Sequence, residues 1–123
     1  MTRPITPRLH GVLDYATVGL TAAAPALLGL SGTAATTCRA LAGSYLGLSL
    51  LTDYPLSARR VVPFPAHGAL EVGLGLALPF LPRVLGFERD RAATALLYGL
   101  TAVTAVVAAL TDWTGAQSPP EAR

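Results

Sequence analysis

Between Tyr15 and Thr37 the chain carries no charged side chain, and between Ala92 and Thr111 it again carries none. Each run reaches about twenty residues, the length at which an apolar helix crosses the hydrocarbon of a bilayer. A water-soluble domain interrupts such runs, because about a quarter of its residues are charged. Here 13% are charged and 52% hydrophobic, and the mean hydropathy is +0.52. The expectation is an integral membrane protein whose backbone polar groups are satisfied within helices.

At 123 residues the chain is read as a single membrane domain. All nine basic residues are arginine, and the net charge of +2 is spread along the sequence. No basic stripe suits a nucleic acid. The arginines are read as loop and headgroup anchors. Cys38 is the single cysteine, so no intrachain disulfide forms. It is read as a small packing residue.

A short motif returns. His10-Gly11-Val12-Leu13-Asp14 comes back as His67-Gly68-Ala69-Leu70-Glu71, and Pro25 and Pro82 each lie fifteen residues after their histidine. Leu51-Thr52-Asp53-Tyr54 likewise answers to Leu110-Thr111-Asp112-Trp113. The chain is therefore read as one unit used twice: repeat 1 about 10–54, a linker at 55–66, repeat 2 about 67–113 and a loose tail at 114–123. Arg3, Arg8 and Ala22-Ala23-Ala24 mimic a signal peptide and its cleavage site. Pro25 directly after the small residues, and the counterpart segment at 67–87, argue against that reading.

Four helices are expected, at about His10–Leu30, Ala34–Thr52, His67–Phe87 and Ala92–Asp112, with turns at Ser31-Gly32-Thr33 and Glu88-Arg89-Asp90-Arg91. Pro25 and Pro82 should kink their helices, freeing the carbonyls of Thr21 and Leu78, and Pro79 should deepen the second kink. Gly43 and Gly47, one turn apart, form a small-xxx-small face for helix packing. Tyr54 and Trp113 are read as anchors at the membrane interface. Two spans per repeat is an even number, so both copies enter from one side. The expected fold is all-α, a four-transmembrane-helix bundle of two parallel two-helix repeats about an axis along the membrane normal. In the first repeat the histidine end carries Arg3, Arg8, Arg59 and Arg60, against Arg39 at the other. That bias puts the histidine end and both termini in the cytoplasm, in a multi-pass protein of the cell membrane.

This pattern resembles the SPW-repeat family of small bacterial and archaeal membrane proteins, which carry a Ser-Pro-Trp motif in the first of two transmembrane helices per repeat. The matching segments are Ala24-Pro25-Ala26 and Leu81-Pro82-Arg83, each followed by Leu-Gly and an apolar residue at Leu28-Gly29-Leu30 and Leu85-Gly86-Phe87. Asp14 and Glu71 supply the acidic residue early in the first helix. The resemblance implies the two-repeat architecture and no particular activity.

The candidate polar cluster is His10, Asp14, His67 and Glu71, joined by Asp53 and Asp112 where the second helix of each repeat ends. Residues four apart share a helix face, so each histidine lines up with its own acid. One reading is structural: carboxylates near helix starts, with Asp53 and Asp112 paired to Arg8, Arg59 or Arg60. A second is a proton-coupled or small-solute carrier using Asp14 and Glu71, which would need a dimer to enclose a path. A third is a divalent metal or haem between His10 and His67. No nucleophile–base pair, phosphate loop or Cys-x-x-Cys occurs, which points away from an enzyme. The leading reading is a non-enzymatic structural or partner-binding bundle. Its partners are the lipid bilayer and a second copy or another membrane protein, and no cofactor is required.

Overall fold

The computed structural model of the chain describes residues 3–114, so the tail beyond Thr114 lies outside the described residues. Helix α1 runs Pro7–Leu28. It starts ahead of His10 because Thr6 caps it, accepting from the Leu9 N–H at 3.2 Å, and Pro7 suits a first turn that has no use for its missing donor. Gly29, with φ 63°, closes α1 in the left-handed conformation that glycine adopts without strain. Helix α2 spans Gly32–Leu51.

The third expected helix is broken. Helix α3 covers Phe64–Ala77, a 3₁₀ turn follows at Leu78–Phe80, and a short α4 covers Leu81–Val84. Pro79 and Pro82 fall within one turn of each other and each removes a ladder donor, so the segment tightens to i→i+3 bonding. Pro25 sits near the end of α1, and its carbonyl accepts the Gly29 and Leu30 N–H groups. Helix α5 runs Arg91–Leu110, capped by Asp90, which accepts from the Ala93 N–H at 3.0 Å.

The described residues are all-helical apart from two isolated bridges, Ile5 with Thr111 and Thr52 with Val62. Three segments are long and apolar enough to cross a membrane: α1, Phe64–Val84 and α5. The expectation of four narrows here. Helix α2 has 20 residues, but Thr33, Thr36, Thr37, Arg39, Ser44 and Ser49 keep it less apolar than the others. Large apolar side chains lie outside, among them Leu20, Leu27, Leu76, Val84, Val103 and Val106. The interior takes small ones, Ala24, Ala34, Ala35, Cys38, Ala42 and Ala93. Lipid covers such an outer surface without cost, and small residues let helices approach closely.

Helix α1 lies along α2, and α3 with its 3₁₀ turn lies along α5. The close approach is at Gly75, where a Cβ would stand 3.0 Å from Thr104 Cγ2. Gly43 and Gly47 do not pack a helix of this chain: a Cβ on either meets nothing within 4 Å. An apolar core of Leu30, Ala34, Cys38, Leu78, Phe87 and Leu97 fills the end near the Ser31 and Glu88 turns.

At the other end the connections act as ties. The Ile5 N–H donates to Leu110 O at 3.1 Å, and the Asp112 N–H donates to Ile5 O at 2.8 Å. In the same way Val62 donates to Leu51 O and accepts from the Asp53 N–H, both at 2.7 Å. The lead ahead of α1, residues 3–6, is thereby bound beside the end of α5, with Ile5 buried. These ties set the end of α5 against the start of α1, and the end of α2 against the start of α3.

Candidate metal centre

His10 and His67 are each the fourth residue of their helix, and Asp14 and Glu71 each the eighth. One helical turn separates histidine from acid, so all four side chains point inward where α1 and α3 meet. All four are buried, both histidines at 0% exposure. Their ligand atoms lie within 4.8 Å of one another.

The threonines decide the chemistry. Thr52 and Thr111 cap α2 and α5 with nearly the same backbone, φ/ψ −82/141° and −81/137°. Each hydroxyl donates its one proton to a carbonyl of its own helix, Leu48 O and Val107 O, both at 2.6 Å. Each oxygen also lies against a histidine Nδ1: Thr52 at 2.7 Å from His67, Thr111 at 2.8 Å from His10. With its proton already given, the hydroxyl accepts, so Nδ1 is the protonated nitrogen of both rings. In neutral imidazole the other nitrogen then carries a lone pair.

Both lone pairs point at one place. The two Nε2 atoms are 3.3 Å apart. His10 Nε2 is 3.3 Å from Asp14 Oδ1 and 3.2 Å from Glu71 Oε2; His67 Nε2 is 3.1 Å from Asp14 Oδ2 and 3.8 Å from Glu71 Oε2. Tyr54 donates to Asp14 Oδ2 at 3.1 Å, and Tyr45 donates to Glu71 Oε1. Burial pushes the Tyr54 hydroxyl well above the ordinary tyrosine range, which keeps it a donor. Glu71 Oε2 is buried and has no hydrogen-bond partner. The centre thus brings two imidazole Nε2 atoms and two carboxylates together out of reach of solvent.

Such a centre needs positive charge. Protonating both imidazoles would set two N–H groups head to head across 3.3 Å. A divalent cation meets the same need without that conflict. A tetrahedral ion bound at about 2.0–2.1 Å places its ligands about 3.3–3.4 Å apart; here the imidazole nitrogens and their carboxylate oxygens stand 3.1–3.8 Å apart, and the whole set lies within 4.8 Å. Histidine ligands ordinarily donate their second nitrogen to an oxygen acceptor, as both do here to threonine. A haem does not fit: its flat ring would have to lie between nitrogens 3.3 Å apart, where both carboxylates converge.

The motif glycine of each copy makes room for the aromatic that ends the same copy. A Cβ on Gly11 would lie 3.3 Å from Tyr54 Cε2, and one on Gly68 would lie 2.7 Å from Trp113 Cζ3. Tyr54 is 2% exposed, and the half-buried Trp113 stacks 5.0 Å from the His10 ring, its indole N–H held by Ala108 O at 3.0 Å. Both were expected as interface anchors; both instead roof the centre, together with Phe64, 5.3 Å from His10.

Asp53 and Asp112 stay out of the cluster. Asp53 is exposed and pairs with Arg60 at 3.4 Å. Asp112 accepts the hydroxyl and N–H of Thr114, which hold its carboxyl below the usual range. The helix-end motif contributes its threonine and aromatic instead, because a helix end turns alternate residues inward and outward. Tyr45 carried no motif at all; only the fold brings it to Glu71. Comparison with protein-family models, with curated proteins and with solved structures finds no match.

Proposed function

We propose that this chain is a four-helix membrane protein that holds one divalent transition-metal ion between His10, His67, Asp14 and Glu71. The observation that carries the reading is the threonine pair. In the tautomer that Thr52 and Thr111 favour, both Nε2 atoms present lone pairs toward the carboxylates of Asp14 and Glu71. Two nitrogen and two oxygen donors in a tetrahedron favour zinc over magnesium or calcium, which take more oxygens. A closed four-ligand site also suits storage, structure or passage of the ion better than catalysis, which leaves a position open. The metal therefore replaces the purely structural bundle as our preferred reading, while the absence of reactive machinery still points away from an enzyme.

Four spans follow from the same proposal. Helix α2 lies along α1, and its two ends reach the two ends of the bundle, so it crosses with its neighbours. The returning His-Gly-x-Leu-acid and Leu-Thr-Asp-aromatic motifs support an origin in two parallel copies, and with it a place in the SPW-repeat family. The arginine bias of the first copy supports a cytoplasmic histidine end.

Elemental analysis of protein purified without chelators tests the metal. About one zinc per chain is expected, falling to none in His10→Ala. Protein that neither retains zinc nor takes it up from micromolar solution would remove the proposal.

A further inference from the structure

Of the four tyrosines, Tyr98 is exposed and Tyr15 gives its hydroxyl to Leu56 O at 2.8 Å. The other two reach the cluster, one to each acid. Tyr54 donates to Asp14 Oδ2 at 3.1 Å, and Tyr45 donates to Glu71 Oε1. The opposite oxygens, Asp14 Oδ1 and Glu71 Oε2, face His10 Nε2 at 3.3 and 3.2 Å. Asp14 Oδ2 also stands 3.1 Å from His67 Nε2, but it is the oxygen that Tyr54 holds. Glu71 Oε2 is buried and has no hydrogen-bond partner. Both tyrosines belong to the first half of the chain. Counting from Thr52 and Thr111, the places of Tyr45 and Tyr54 are taken in the second half by Thr104 and Trp113. The halves therefore share their histidines, acids and threonines, while one half alone supplies the hydroxyls that hold both acids.

We propose that Tyr45 and Tyr54 set which ion the cluster takes, by holding one oxygen of each carboxylate so that Asp14 and Glu71 each bind through the other oxygen alone. The inference rests on the metal reading above and adds the source of its selectivity. A carboxylate grips an ion with one oxygen or with both. With two imidazoles, one oxygen from each acid makes four ligands, the tetrahedral number that suits zinc. Both oxygens of each acid would make six, and six ligands rich in oxygen suit manganese. The choice between four and six thus lies with the two oxygens that the hydroxyls hold. Ligating carboxylates are ordinarily hydrogen-bonded in turn, which fixes how they meet the ion. Tyr54 is 2% exposed, so water does not stand in for its hydroxyl. A buried carboxylate oxygen stripped of its donor is costly until it finds another partner, and the bound ion is the positive charge at hand.

Phenylalanine removes each hydroxyl and keeps the ring. The test measures zinc and manganese affinity by chelator competition for purified wild type, Tyr45→Phe, Tyr54→Phe and the double variant in detergent. Each protein is also loaded with cobalt(II), whose visible bands are strong in a tetrahedral site and weak in an octahedral one. Wild type should show the strong bands. In the double variant, folded by circular dichroism, the bands should weaken and the ratio of zinc to manganese affinity should fall about tenfold or more. Should the double variant fail to fold, each single variant frees one oxygen and is read the same way, with a smaller change. Loss of a merely structural hydrogen bond would weaken both ions alike and keep the tetrahedral bands; that result overturns the proposal, as does a ratio that stays at the wild-type value. Wild-type protein that binds neither zinc nor cobalt overturns the metal reading, and this inference with it.

Discussion

A threonine near the end of a membrane helix usually spends its proton on its own backbone, and Thr52 and Thr111 do so. The consequence reaches beyond the helix, because the spent hydroxyl becomes an acceptor that dictates a tautomer across the bundle. Valine keeps the shape and removes the acceptor. Thr52→Val and Thr111→Val should therefore leave a folded protein whose zinc affinity, measured by chelator competition, drops about 10–100-fold. An unchanged affinity would separate the threonines from the metal. The two glycines make a graded pair. Alanine at Gly68 collides with Trp113, whose indole is tethered, and overpacking of that kind costs about 1–3 kcal/mol. Alanine at Gly11 meets Tyr54 at a contact that small shifts relieve, and the gain of about 1 kcal/mol in helix propensity offsets it. Thermal unfolding in detergent should rank Gly68→Ala well below Gly11→Ala, with the latter near wild type. At this scale the sequence displayed both motifs in full, yet the acids Asp53 and Asp112 drew the functional reading and the threonines beside them did not. An acid looks like chemistry; a hydroxyl declares itself only once its proton has been followed.

At the scale of the element, periodicity and turn signals located the helices, and local chemistry moved their ends. Thr6 and Pro7 begin α1 before the motif histidine, and the Pro79–Pro82 pair turns an expected kink into a break. Neither shift is visible in hydropathy, which sees only the apolar run. Helix α2 is the contested element, because its threonines, serines and Arg39 make it the least apolar. Packed along α1, it buries Thr37 and Ser49, while Thr33, Thr36, Arg39 and Ser44 are exposed. With Cys38 first replaced by alanine, cysteines introduced at the exposed Ser31 and Ala58 should react with a membrane-impermeant maleimide from opposite sides of sealed vesicles. Labelling of both from one side would show that α2 does not cross.

Across the whole molecule, two connections hold the arrangement. The lead and the linker each run beside the last residues of a helix from the other side of the bundle, so the start of α1 is finished by the end of α5 and the start of α3 by the end of α2. The sequence exposed two similar halves and the inward faces of Asp14 and Glu71. It could not expose the exchange of partners, in which His10 takes Thr111 and His67 takes Thr52, because that depends on backbone ties in segments with no pattern of their own. Tyr45 was illegible for the same reason, as it reaches Glu71 only once α2 is packed along α1. The candidate ligands converge on the point between the two Nε2 atoms. X-ray absorption at the zinc edge of the purified protein examines that point directly. A first shell of two imidazole nitrogens and two carboxylate oxygens at about 2.0–2.1 Å is expected. A shell of oxygens alone, with no imidazole scattering, would contradict it.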